Sequence, residues 1–230
     1  DDKYRDLTVR ELFEQYGVRR GERLDGVGLL KRHGSRGQNS RFYSTSHVAA
    51  LPLLARLPDT DAAKEAVDTY VKGLADLGVG DLTSVPGEPR GAFKNYDGHI
   101  LFEERLAEFL EGEELKDARR LLGKLLETQF EGKRPDPYYA LLRADGDRMG
   151  KAINEIKTVE GHREFSAALA GFAGAAKKIV TDEHDGSLVY SGGDDVLAFV
   201  PLHRVLDCAK ALANAFVEQV GGFKTDKPGV

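Results

Sequence analysis

The 230-residue chain is long enough for one large or two small domains, and its 41% hydrophobic and 31% charged residues are typical of a globular protein. It has no apolar run of about 18 residues, which excludes a membrane-spanning helix, and its charged N-terminal segment lacks the apolar core of a signal peptide. Cys208 is the only cysteine, which excludes an internal disulfide bond and a zinc site built from cysteines. We therefore expect a cytoplasmic protein without a membrane contact.

A basic stretch at residues 17–43 is the first distinctive element of the chain. It holds seven arginine or lysine residues and only two acidic residues, and it includes the glycine- and serine-rich segment HGSRGQNSR. The stretch is either a solvated surface loop or a contact to the phosphate backbone of nucleic acid, from which arginine and lysine release counterions. The sequence leaves both interpretations open.

Residues 1–135 are predicted to form a mainly helical domain. In TDAAKEAVDTYVKGLADLG the apolar residues recur at helical spacing, with Asp59, Thr60 and Asp61 as candidate N-caps and Gly78 as a stop. A second helix is interrupted at Gly112. A third helix carries an apolar stripe of Leu115, Ala118, Leu122 and Leu125. The prolines of EGKRPDPYY end the helical part, which places the domain boundary near Pro135.

Residues 136–230 are predicted to form a second domain with strands as well as helices. YYALLRAD is a short, almost continuous apolar run, typical of a buried strand, and a helical pattern follows it. GSLVYSGGDDVLAFVP predicts a hairpin, and HRVLDCAKALANAFVEQV a last helix. The order β-α-β-β-α indicates an α+β fold, the ferredoxin-like βαββαβ palm. Its last strand would be due at KTDKPGV, where the sequence shows none.

The hairpin raises the first functional question. Gly192 and Gly193 are the type of two-residue connection that permits a positive φ at both central positions, and Asp194 and Asp195 follow at once. Glycine–aspartate turns are also common without any function. The motif alone is therefore either a structural turn or half of a metal site.

A second acidic segment, Asp145-Gly146-Asp147, follows the first predicted strand. By itself it is compatible with an Asx-turn and a helix cap. The palm topology, however, brings the end of the first strand beside the hairpin, and clustered carboxylates repel each other unless a cation binds between them. Oxygen ligands without cysteine or histidine suit Mg²⁺ or Mn²⁺. The predicted metal ligands are Asp145, Asp147, Asp194 and Asp195.

This pattern favours phosphoryl transfer assisted by two metal ions. Gly192 and Gly193 have no side chains, so a nucleotide could approach the backbone closely. Lys151 lies near the start of the next predicted helix, where it either meets phosphates or faces solvent.

The two motifs together resemble a known family. YYALLRADGDRMGK, followed by YSGGDDVLAFVPL, is similar to the second palm domain of the large polymerase–cyclase subunit of type III CRISPR effector complexes, in the type III-B branch. GERLDGVGLLKR and RFYSTSHVAALP resemble the segment that precedes this palm. The resemblance implies a fold like that of GGDEF domains and nucleotide cyclases. It also implies an enzyme that converts ATP to cyclic oligoadenylate upon target-RNA recognition, with sister subunits and guide RNA as partners.

The resemblance also assigns roles to individual residues. It implies that Asp145, Asp194 and Asp195 are catalytic metal ligands and that Asp147 and the carbonyl group of Gly146 lie beside the metal. The residues that border the nucleotide would be Ser191, Gly192 and Gly193.

The chain departs from the family in several places. Asp25 stands where members commonly carry a zinc-binding cysteine, so we expect no zinc site, and His33 and His47 are too few to replace it. We find no nuclease domain with a His-Asp dyad and no first palm, so the chain resembles a fragment of the subunit. Two alternatives stay open, a non-catalytic scaffold that docks RNA and sister subunits, and a diguanylate-cyclase-like signalling domain. The latter usually carries Asp/Glu-Glu-Phe after the glycines, where this chain has Asp194-Asp195-Val196.

Overall fold

The structure, a computed structural model, divides into two compact units, residues 1–137 and 138–230. The described residues are 8, 11, 43–80, 82, 91–93 and 96–223. The division falls between Pro137 and Tyr138. All of the basic stretch except Tyr43, and the KTDKPGV segment, lie outside the described residues, so the expectations about them stay predictions.

The described part of the first unit is built from helices. In chain order it contains α1 (Thr45–Leu54), α2 (Asp61–Asp76), a 3-10 turn (Gly98–Leu101), α3 (Glu103–Leu106) and α4 (Gly112–Phe130). The hydroxyl group of Thr60 accepts a hydrogen bond from the backbone N–H of Ala63 at 3.2 Å and so caps α2, as predicted. Gly78 ends the α2 segment with a φ of 91°, which explains the glycine there. In the described residues no helix is long and apolar enough to cross a membrane.

A buried polar cluster joins α1 to the 3-10 turn. We call it the histidine–aspartate cluster, and it comprises Ser44, His47, Asp97 and His99. Oδ1 of Asp97 accepts hydrogen bonds from the Ser44 hydroxyl group at 2.7 Å and from the backbone N–H of His99 at 2.9 Å, and it lies 3.1 Å from His99 Nδ1. Nδ1 of His47 accepts from the backbone N–H of Gly98 at 2.9 Å. These bonds satisfy polar groups that burial would otherwise make costly, but Nε2 of His99 is buried without a hydrogen-bond partner among the described residues.

Burial shifts the titration of two groups in this cluster. Burial lowers the pKa of His47, and neighbouring His99 lowers it further against the opposing charge of Asp97. Burial alone would raise the pKa of Asp97, but the hydrogen bonds from His99 and Ser44 and the attraction of His99 outweigh it, so this pKa lies well below its usual value. Both shifts keep the cluster in the protonation states in which its hydrogen bonds form.

The second unit has the predicted β-α-β-β-α order. It contains β1 (Ala140–Ala144), α5 (Met149–Glu155), α6 (Val159–Lys178) with a π turn (Ile179–Glu183), β2 (Ser187–Gly192), β3 (Asp195–Val200), a 3-10 turn (Leu202–Arg204) and α7 (Val205–Val220). The sheet order is β1-β3-β2 with both pairs antiparallel. This is the split βαβ arrangement of a palm, so the predicted α+β class is confirmed. The crossover contains two helices where the sequence predicts one.

The two faces of the sheet differ in their surroundings. On one face, Val196, Ala198 and Val200 are buried in a core that also contains Phe172 of α6 and Leu212 of α7. Because neighbouring strand residues point to opposite faces, the other face carries the alternate residues. We call it the open face. Its residues are Leu141, Arg143, Tyr190, Asp195, Leu197 and Phe199.

The β2 strand contains a bulge on its way to the hairpin. Leu188 is paired with Ala198, but the next pair joins Tyr190 to Leu197, so Val189 is an extra residue without a partner in the ladder. The bulge places Tyr190 on the open face, opposite Leu197. It also places the next residue, Ser191, on the helix-covered face, where its hydroxyl group donates to the carbonyl oxygen of Ala173 in α6 at 3.4 Å.

Candidate active site

The hairpin turn lies one residue later than the sequence predicts. Gly192 is still in β2 and pairs with Asp195, so Gly193 and Asp194 are the two central residues of the turn. Gly193 has a φ of 65°, and neither Gly192 nor Asp194 has a positive φ. A positive φ at the first central position alone is the pattern of a type II′ turn. The prediction of a Gly192-Gly193 turn is therefore wrong, because Gly192 still pairs with Asp195 as the last residue of β2.

The register of β1 and β3 brings the first acidic segment to the hairpin. Ala144 is the last residue of β1, and its partner in β3 is Val196. Continuing this antiparallel register by one residue places Asp145 opposite Asp195, the first residue of β3. Directly opposed side chains in a sheet lie on the same face with Cβ atoms about 5 Å apart. Asp145 is exposed and Asp195 is half-buried, so solvent reaches this pair.

Gly146 packs directly against Asp194. A Cβ atom added to Gly146 would lie 2.7 Å from Cβ of Asp194, 3.0 Å from its Oδ2 atom and 2.9 Å from Cζ of Phe216 in α7. Only glycine allows this approach between the β1 end, the turn and α7. Asp194 therefore lies beside Gly146 and α7, whereas the strand alternation assigns Asp195 to the open face. The two adjacent carboxylates diverge.

This divergence limits the metal site that the described residues can form. Carboxylate oxygens from Asp145 and Asp195 are the ligand type that Mg²⁺ and Mn²⁺ prefer. However, the described residues contain no group of three or more histidine, cysteine, aspartate or glutamate side chains placed to hold a metal ion. These oxygen donors are thus of the type that a hard cation prefers, but ligands other than the described side chains have to complete its coordination.

The remaining predicted site residues differ in how exposed they are. Asp147 is exposed in the segment between β1 and α5, and Lys151 is exposed in α5. Ser191 is half-buried and bonded to α6, so its hydroxyl group lies on the helix-covered face. Gly193 has no atom within 4 Å of an added Cβ, which leaves the backbone of the turn accessible.

The sequence-based reasoning missed two open-face residues, Arg143 and Tyr190. Arg143 is exposed, and Tyr190 is 54% exposed with its ring over Gly192, because a Cβ atom on Gly192 would lie 2.7 Å from Cζ of that ring. The sequence could have indicated them through the two-residue alternation of side chains in a strand. Arg143 precedes Asp145 by two residues and Tyr190 precedes Gly192 by two, so each pair shares a face.

An antiparallel β1-β3-β2 sheet with helices on one face and an aspartate-rich hairpin at one end defines the second unit as a palm domain. Residues 138–229 match the family model "Cas10/Cmr2, second palm domain". Over these residues the chain is therefore similar to the second palm domain of Cas10/Cmr2 proteins. The chain is also similar to the CRISPR system Cmr subunit Cmr2 of Pyrococcus furiosus, with 35% identity over 108 residues. This alignment covers 36% of the chain and 12% of that relative.

Proposed function

We propose that the second unit is the nucleotidyltransferase palm of a type III CRISPR effector subunit. In this proposal the subunit converts ATP to cyclic oligoadenylate when its complex recognises target RNA, and it acts in antiviral defence. Its partners are the sister subunits of the complex, guide RNA and target RNA. The family match of residues 138–229 and the similarity to a Cmr subunit support this assignment.

One observation carries the proposed chemistry. Asp194 lies against Gly146 at the end of β1, and continuing the β1–β3 register one residue beyond Ala144–Val196 sets Asp145 opposite Asp195. Two carboxylates brought close together repel each other, and a divalent cation relieves the repulsion. A structural turn alone has no need for carboxylates from both segments.

The residues of this chain have distinct roles in the proposed reaction. Asp145 and Asp195 are the side chains that would hold Mg²⁺ or Mn²⁺, which when bound supplies activation of a ribose hydroxyl group and neutralisation of phosphate charge. Gly193 leaves the backbone of the turn open to the nucleotide, whereas Gly192 makes room for the ring of Tyr190. Gly146 positions Asp194 by allowing it to approach the end of β1.

The proposal is tested by removing the two hairpin charges in the full subunit. We expect Asp194→Asn combined with Asp195→Asn to lower Mn²⁺-dependent conversion of ATP by at least about a hundredfold, the scale on which lost transition-state electrostatics act. Asp207→Asn is the matched control, because Asp207 is exposed in α7, beyond the opposite end of β3. Product yield is read by chromatography and folding by circular dichroism. Undiminished product from a folded double variant would contradict the proposal.

A non-catalytic scaffold is the second candidate function. The observation in its favour is that the described residues supply no group of three metal-ligating side chains. In this case the same double variant would leave assembly with RNA and sister subunits intact, and the wild-type subunit would not consume ATP.

A further inference from the structure

The open face carries a row of three side chains one step away from the carboxylate pair. Arg143 of β1 and Tyr190 of β2 are both paired with Leu197 of β3, so the three side chains lie side by side across the sheet on one face. The adjacent row toward the hairpin consists of Asp145, Asp195 and Gly192. An aromatic ring and a guanidinium group thus flank an apolar residue next to the candidate metal ligands.

The exposure of this row calls for an explanation. Tyr190 is 54% exposed and Arg143 is exposed, while Leu197 between them is half-buried. A tyrosine ring in such a position offers an accessible stacking surface, and stacking on an aromatic ring is a general way to bind a nucleobase. Arginine is the usual partner of phosphate oxygens because of its forked donors.

The tyrosine side chain reaches from its own row into the carboxylate row. Residues two apart on a strand lie about 7 Å from each other, but a Cβ atom on Gly192 would lie 2.7 Å from Cζ of Tyr190, so the end of the ring lies over Gly192, the strand partner of Asp195. A base stacked on this ring therefore lies next to the carboxylate row, and its phosphates can reach that row.

We infer that Tyr190, Leu197 and Arg143 form the floor of the nucleotide site. The base of ATP stacks on the Tyr190 ring, and the guanidinium group of Arg143 contacts the triphosphate where it meets Asp145 and Asp195. This inference rests on the proposed function and adds to it the residue that holds the base. It separates the site into a base end on β2 and a phosphate end on β1.

The test compares ATP with inorganic triphosphate, which has phosphates but no base. Binding of both to the full subunit is measured by calorimetry with Mn²⁺. We expect Tyr190→Ala to weaken ATP binding on the order of tenfold and to leave triphosphate binding unchanged, because only the stacking surface is lost. Tyr190→Phe retains the ring and should bind ATP like the wild type. Arg143→Gln should weaken both ligands.

Tyr138→Ala is the matched control, because Tyr138 is also an exposed tyrosine, at 67%, and lies just before the far end of β1. If Tyr190→Ala weakens ATP and triphosphate equally, or weakens neither, the inference is wrong while the proposed function stands. If the wild-type subunit binds neither ligand, both the inference and the proposed function are overturned.

Discussion

At the scale of single residues, Gly146 determines where one of the hairpin carboxylates lies. Its missing side chain leaves room for Asp194 and for the ring of Phe216 at the end of β1. The backbone of Gly146 has no positive φ, so the requirement for glycine is one of space and not of backbone conformation. The position therefore tests packing at the candidate site without changing any acidic residue.

We predict that Gly146→Ala destabilises the second unit by about 1–3 kcal/mol, the usual cost of overpacking. The new methyl group would meet the Cβ atom of Asp194, which is close to the backbone and cannot swing away. Urea unfolding followed by circular dichroism measures the loss. Gly150→Ala is the control, because an added Cβ at this exposed helical position meets nothing within 4 Å and should stabilise α5 slightly. Equal stability of both variants would show that the segment around Gly146 shifts to accommodate a methyl group, and would contradict the prediction.

At the scale of elements, α1 and the 3-10 turn of the first unit are joined by the histidine–aspartate cluster. The pKa of His47 is lowered in the folded state by its burial, and the pKa of Asp97 is lowered because its hydrogen bonds outweigh its burial. In both cases the unfolded chain takes up a proton at a higher pH than the folded chain does. Acid therefore favours unfolding through both groups.

We predict that the free energy of unfolding of the first unit falls as the pH is lowered below about 6.5, the ordinary pKa of histidine. The loss continues below about pH 4, where the unfolded Asp97 takes up its proton. Urea unfolding between pH 8 and pH 5 measures the first part of this change. His47→Gln should reduce it, whereas His162→Gln, at an exposed position on α6, should not. Greater stability at pH 5 than at pH 8 would contradict the prediction.

The sequence predicts the elements well and the details of the site less well, for a physical reason. Helices such as α2 and α4 follow from apolar spacing, and the order of elements in the second unit follows from the alternation of patterns. The position of the hairpin turn depends on which residues pair between β2 and β3, and this pairing, like the bulge at Val189, arises from tertiary structure and not from local composition. The sequence also favours four converging carboxylates, whereas Asp194 packs against Gly146 and the strand alternation assigns Asp195 to the open face.

At the scale of the whole molecule, the chain spans a small part of the curated relative that it matches, 12% of that protein. The described residues contain no group of three or more histidine, cysteine, aspartate or glutamate side chains placed to hold a metal ion, and the proposed ligands are Asp145 and Asp195. Sites for Mg²⁺ or Mn²⁺ with one or two protein carboxylates usually draw their other ligands from substrate phosphates and water. Metal binding and nucleotide binding should therefore depend on each other.

We predict that Mn²⁺ alone changes the thermal unfolding midpoint of the protein little, and that Mn²⁺ together with ATP raises it. A ligand present at a hundred times its dissociation constant adds about 2.7 kcal/mol to the stability of the unit that binds it. The measurement is a thermal shift with Mn²⁺, ATP, both, and neither. Asp195→Asn should remove the combined effect. A large shift with Mn²⁺ alone would show that the protein completes the metal site by itself.

The bulge in β2 has a consequence for how the hairpin tolerates change in length. Because Val189 has no partner in the ladder, β2 is one residue longer than its pairing with β3 requires. Deleting Val189 would leave Tyr190 opposite Leu197, and the strand would lose twist but keep its phase. The register of the hairpin is therefore set from the turn. A change in length on the α6 side of β2 is absorbed at the bulge and does not shift the carboxylates.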